Sequence, residues 1–213
     1  MGHAGSEPDS NTRYKLVRKL GKIVRLQVQR ESIKSGSKPN ERYTPESHLL
    51  SVQSLRLDAD GVQGVAADGS TIPDVHNRSH PRSKYRGNNG ISLIFTGHYA
   101  AIRGRFGDHM VDGIAAESIL VDCDEILPLE SIQRGIVIVG DDREINIGPW
   151  EVAHPCAPFS KYCLQFPEDA KPDRRITETL KFLDDGMRGF LAVFPDEAEP
   201  VEIRLGDVVF AVD

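Results

Sequence analysis

Gly135-Ile136-Val137-Ile138-Val139-Gly140-Asp141-Asp142-Arg143-Glu144-Ile145-Asn146-Ile147-Gly148-Pro149-Trp150-Glu151-Val152-Ala153 carries the reading of the fold. Short apolar, β-branched runs over 135–139, 144–147 and 149–153 are cut by Gly140-Asp141-Asp142 and by Gly148-Pro149. Val and Ile suit a pleated surface, and Gly, Asp and Pro supply turn geometry, so the segment predicts strands joined by tight turns. The run over 114–121 has the same character, and such a rhythm leads to a barrel or a sandwich.

Upstream the pattern continues. Ser51-Val52-Gln53-Ser54-Leu55-Arg56-Leu57 alternates, and Asp58-Ala59-Asp60-Gly61 turns the chain before Val62, which predicts a hairpin over 52–65. Residues 21–28 predict a strand, followed by a Ser/Gly/Pro/Asn-rich loop over 32–40. Residues 67–89 hold few apolar anchors and read as a long loop, the kind that more often serves function than packing. Residues 90–95 predict a buried strand leading into a short helix over 98–102, bounded by Gly104 and Gly107.

Downstream, Asp173 is placed to cap a helix. Ile176, Leu180 and Leu183 give it an apolar face, and Gly186 can stop it. Final strands are expected over 190–194 and 207–212, joined by a link that returns through Val201-Glu202-Ile203. Residues 1–19 are polar and read as a flexible N-terminal arm, leaving 20–213 as one domain without internal repeats.

Composition narrows the function classes. With 39% hydrophobic and 27% charged residues the chain is expected to fold as a globule. Its 32 acidic against 26 basic residues give a charge of -6, which repels polyanions and argues against nucleic acid as a general partner. No apolar run reaches the roughly 20 residues of a bilayer span, and 1–11 has no signal-peptide core, so a cytoplasmic protein without a membrane partner is expected. The three cysteines, Cys123, Cys156 and Cys163, are an odd number in such a chain and are expected to be reduced thiols.

The chemistry concentrates on Trp150-Glu151-Val152-Ala153-His154-Pro155-Cys156. If this stretch is extended, Trp150, Val152, His154 and Cys156 share one face. Two readings are open here. Cys156 is either a small buried hydrophobe, or an accessible thiol that an imidazole or a cation holds as thiolate where Pro155 ends the pairing. Cys123 lies among carboxylates, which disfavour its thiolate, and Cys163 lies beyond CxxC spacing, so a structural zinc site is not expected. His76 and His80 stand four apart but run into Pro81, which argues against a helical metal pair. Arg82, Lys84, Arg86 and Asn88, in a glycine-containing loop, together with Arg103 and Arg105, suit an anion such as phosphate or carboxylate. A solvated basic loop is the alternative.

Gly107-Asp108-His109 with Gly113, then His154-Pro155-Cys156, then Gly189-Phe190-Leu191-Ala192-Val193 and Gly206-Asp207 together resemble the MOSC domain, the family of the molybdenum cofactor sulfurase C-terminal domain. The likeness runs from about Gly61 to the end. Where many members carry Gly-Glu-Asn, this chain has Gly107-Asp108-His109, and its basic loop is richer in arginine. The resemblance implies a MOSC-type β-barrel with a few short helices, in which Cys156 matches the cysteine thought to carry sulfur or to ligate molybdenum, with His154 beside it. It implies molybdenum cofactor (molybdopterin) as ligand, with Arg82, Lys84, Arg86, Asn88, Arg103, Arg105, Asp108 and His109 as candidate contacts to that pterin. A sulfur-donor desulfurase or an electron-donor protein would be the partner. Three functions are therefore carried forward: a stand-alone cofactor-binding or sulfur-carrying protein, a molybdenum-dependent reductase of N-hydroxylated small molecules, and a non-catalytic binding module.

Overall fold

The computed structural model describes residues 16–38, 40–167 and 173–212. Within them the strands are β1 (Leu16–Gln29), β2 (Lys34–Ser35), β3 (Arg42–Tyr43), β4 (Leu49–Val52), β5 (Ser54–Asp58), β6 (Gly61–Val65), β7 (Thr71–Pro73), β8 (Ile91–Phe95), β9 (Ile119–Asp122), β10 (Ile136–Val139), β11 (Glu144–Ile147), β12 (Glu151–Val152), β13 (Phe190–Ala192), β14 (Val201–Arg204) and β15 (Val208–Val212). The α-helices are α1 (Thr96–Phe106), α2 (Ala157–Cys163) and α3 (Arg174–Leu183). The protein is mostly β, as its turn-punctuated apolar runs predict.

β1 organises the main sheet. Along one edge it pairs antiparallel with β15, from Leu16↔Val212 to Lys22↔Val208, and then with β4, from Leu26↔Val52 to Gln29↔Leu49. Along the other it pairs with β9, from Lys22↔Asp122 to Leu26↔Ile119. Register shifts at Lys19/Gly21 and Ile23/Arg25 bend the strand, so one edge serves two partners in succession. The sheet runs β11-β10-β15-β1-β9-β8-β13-β12, with β4 on β1. Its one parallel pair is β8 with β9, the pair that needs a crossover, and α1 supplies it. β5, β6, β7 and β14 form a second, antiparallel sheet in the order β14-β5-β6-β7. The main sheet is an open path: its end strands β11 and β12 do not pair, and it does not close into a barrel.

Apolar side chains fall into two clusters. The larger joins both sheets through Leu26, Leu55, Leu57, Leu93, Phe95, Phe190 and Ile203, all 1% exposed or less. The smaller lies on the helical side, around Ile94, Tyr99, Ile102, Phe159, Cys163 and Leu183. No helix among the described residues is long and apolar enough to cross a membrane.

Several local expectations shift. The hairpin turn over 58–61 forms as predicted, with Asp58 opposite Gly61, and Asp173 caps α3 through the Arg175 amide at 2.9 Å. β1 begins at Leu16, inside the segment read as an arm; residues 1–15 lie outside the described residues. α1 runs over eleven residues rather than 98–102, because Gly104 is tolerated inside it and the chain leaves the helix only at Gly107, φ +104°. The 67–89 loop contains β7, and only the second half of 114–121 is strand. α2 has no counterpart in the sequence reading.

Candidate functional site

Cys156 is not on an extended face shared with Trp150, Val152 and His154. β12 stops at Val152; Trp150 is buried at 3% exposure, His154 is exposed, and Cys156 is half-buried. The chain instead turns into α2 with Cys156 as its N-cap, φ −127° and ψ 154°, and the Cys156 carbonyl accepts from the Ser160 amide at 3.0 Å. Pro158 sits in the first turn, where the missing N–H costs nothing and the fixed φ favours the helix. Phe159 and Cys163, one turn apart, anchor α2 in the smaller core, against which Cys156 packs at the edge.

The three thiols now separate. Cys123 is 8% exposed and Cys163 1%, and burial pushes the Cys163 thiol up to about 12, with Arg188 opposing. Cys156 is the half-exposed thiol.

Beneath it lies a polar layer. Tyr43 donates to the Ile114 carbonyl at 2.7 Å, Gln27 to that of Gly113 at 2.8 Å, and Arg188 to that of Ala115, so three successive carbonyls are each held by a side chain. The Ala115 amide donates to the Tyr99 hydroxyl at 2.9 Å, and that hydroxyl donates to Glu117 Oε2 at 2.9 Å. Ala116, between them, is held at φ +63°, a left-handed conformation that an L side chain keeps only where its surroundings impose it. Glu117 is 2% exposed, its Oε1 has no partner, and burial raises its carboxyl to about 7. Burial also raises the Tyr43 hydroxyl; Arg188 opposes this, while Glu117, Cys156 and Cys163 reinforce it, so all four charges act at one place. The Arg188 guanidinium stacks over Phe159, 4.8 Å from the ring centre, one turn into the helix that Cys156 caps.

The other predicted residues are dispersed. His154 pairs through Nδ1 with Asp184 Oδ1 at 3.0 Å, a hydrogen bond that holds the Asp184 carboxyl below its usual range. His109 Nε2 lies 3.1 Å from the Cys163 carbonyl and its ring packs on Tyr162, at the far end of α2 from Cys156. Asp108 is exposed. Arg103 pairs with Asp112 at 2.5 Å, and Arg105 lies over Phe182, 4.4 Å from the ring centre. Arg82 pairs with Glu31 at 2.5 Å. With Lys84, Glu31, Ser32 and His48 it lines a cleft of about 550 Å³ that Cys156 does not line. Arg86 and Asn88 are exposed on the loop beyond it, where Asn89 takes the Arg86 amide at 2.7 Å.

The fold has solved counterparts. It is similar to that of the YuaD protein from Bacillus subtilis, with a TM-score of 0.56 and 14% identity over 94% of this chain and 100% of that one. A hypothetical protein of known structure is similar with a TM-score of 0.51 and 13% identity, over 93% of this chain and 70% of that one. At these identities the likeness is one of fold alone. No protein-family model and no curated protein matches the sequence.

Sequence reasoning finds Cys156 and misses Arg188, Glu117, Tyr43 and Tyr99. One signal was there: Glu117 is a lone acid inside the apolar run 114–121, where a carboxylate needs a partner. Arg188, between Met187 and Gly189, carries no such mark. Among the described residues no three His, Cys, Asp or Glu are grouped to hold a metal ion.

Proposed function

We propose that this protein is a MOSC-type domain that carries sulfur on Cys156, binds molybdenum cofactor, or does both. The observation that carries the reading is that Cys156, alone of the three thiols, is half-exposed, and that Arg188 stands against the turn of helix it caps. A sulfur carrier needs a thiol that a donor can reach and a positive charge that favours its thiolate. In the transfer, the Cys156 thiolate attacks the outer sulfur of a donor persulfide. The donor S–S bond breaks, its electron pair leaves with the donor thiolate, and Cys156 retains a persulfide.

The residues also fit the cofactor. Cys156 offers one soft thiolate to a molybdenum ion, and Arg82 and Lys84, lining the cleft, are suited to a pterin phosphate. The cofactor would supply redox or sulfido chemistry that no side chain provides. Arg103 and Arg105 are taken up by Asp112 and Phe182 and are weaker candidates for that anion.

The test is intact-mass spectrometry with molybdenum and pterin analysis on protein from a cofactor-competent host, wild type against Cys156→Ala. An added sulfur atom, molybdenum or pterin that disappears with the thiol is expected. Wild-type protein carrying none of them, and accepting no sulfur from a donor persulfide, overturns the proposal.

A further inference from the structure

Arg188 has more hydrogen-bonding capacity than the protein uses. Its backbone is fixed on both sides: its amide donates to Leu183 at 3.0 Å, and Gly189, φ +98°, runs so close to β8 that a Cβ there would meet the Leu93 carbonyl oxygen at 2.5 Å. Its guanidinium stacks on Phe159 and gives one N–H to the Ala115 carbonyl. A guanidinium has five donors. Among the described residues no other acceptor takes them and no carboxylate pairs with this cation. Half-buried arginines elsewhere do have a carboxylate: Arg143 pairs with Asp207 at 3.0 Å and Arg103 with Asp112. Glu117, whose charge also reaches Tyr43, accepts from Tyr99 and its own amide. The docking point for Arg188 is moreover the strained turn at Ala116, with its gripped carbonyls. An over-determined, strained turn holding an unpaired, half-exposed fork beside a reachable thiol is an anion seat.

We propose that Arg188 and Cys156 form a binding site for oxyanion-headed sulfane sulfur donors, of which thiosulfate is the simplest. The inference rests on the sulfur-carrier reading in taking Cys156 as the acceptor. The guanidinium holds the sulfonate oxygens and leaves the outer sulfur facing the thiol. The Cys156 thiolate attacks that sulfur, the S–S bond of thiosulfate breaks, its electron pair leaves on sulfite, and Cys156 keeps a persulfide; no external oxidant or reductant is needed.

The full chain tests this by alkylation of Cys156 with neutral iodoacetamide, read on its peptide by mass spectrometry. Sulfate, thiosulfate or chloride is added at matched ionic strength. Sulfate, which has no sulfur to give, is expected to slow labelling saturably where chloride does not, and thiosulfate to leave a persulfide. Arg188→Gln raises the half-protecting sulfate concentration about tenfold or more, the loss expected of a charge-assisted hydrogen-bonding partner. Arg188→Lys, which keeps charge and stem but not the fork, falls between and guards against a folding defect; Arg174→Gln, on the surface of α3, behaves as wild type. Protection that is absent, or equal in wild type and Arg188→Gln, overturns the site. Inorganic polysulfide separates the two proposals, since it has no oxyanion and should load Cys156 in both proteins alike. Loading by polysulfide but not by thiosulfate overturns the donor assignment alone, and loading by neither overturns the sulfur-carrier reading.

Discussion

Cys156, Cys123 and Cys163 are chemically the same side chain in three surroundings, and accessibility sorts them. Cys123 and Cys163 sit in the two cores, at 8% and 1% exposure, so a reagent reaches them only when the structure opens. Cys156 is expected to label in the native protein, with the other two slower by on the order of 100-fold or more until urea is added. Peptide-resolved alkylation measures all three at once, and equal protection of Cys156 would return it to the buried-hydrophobe reading. The sequence points to this residue through Pro155 and the neighbouring imidazole, yet His154 turns out to be exposed and engaged by Asp184. Side-chain direction was the missing information. A face rule assumes an extended chain, and the extended chain ends at Val152.

At the scale of elements, the turn carrying Ala116 and Glu117 joins β1, β3 and α1 to the site through Gln27, Tyr43 and Tyr99. Glu117 adds a pH dependence. Burial raises its carboxyl from an ordinary 4.5 to about 7, against the pull of its own amide, Tyr99, Arg188 and Arg25. Between those two values the folded protein binds more protons than the unfolded chain, so stability falls as pH rises through that window. The full loss is on the order of 3 kcal/mol for a shift of this size. Glu117→Gln, which keeps an acceptor for Tyr99, is expected to remove that slope: near wild type at pH 5, it becomes the more stable of the two at pH 8. Urea unfolding at both values checks it, and parallel pH dependences would show that the carboxyl does not titrate there. Among the helices, α3 is legible because its cap, apolar spacing and stop agree, whereas α2 hides behind Pro155 and Pro158. Proline breaks a helix interior but fits a first turn, and the sequence alone does not say which side of the boundary it is on.

The whole molecule depends on strands far apart in sequence meeting on β1. Gly21 marks the tightest approach: a Cβ there would stand 1.9 Å from the Asp122 carbonyl oxygen, so Gly21→Ala must push β1 from β9. A cost of about 1–3 kcal/mol or more is expected, as for overpacking in a filled core. Gly104→Ala, inside α1 with nothing within 4 Å of the new methyl, is the control and should stabilise by about 0.5–1 kcal/mol. Urea midpoints of the two variants are expected to move in opposite directions, and a neutral Gly21→Ala would deny β1 its organising role. By itself the sequence determined the β-rich class, the turn over 58–61, the capped α3 and the importance of Cys156, because turn chemistry, periodicity and residue type act within a few neighbours. Only the tertiary structure decided that β15 returns to β1, that the main sheet stays open, and that Arg188 and Glu117 meet beneath the thiol. Those outcomes depend on which distant surfaces bury one another, a free energy shared by the whole chain and written in no short stretch of it.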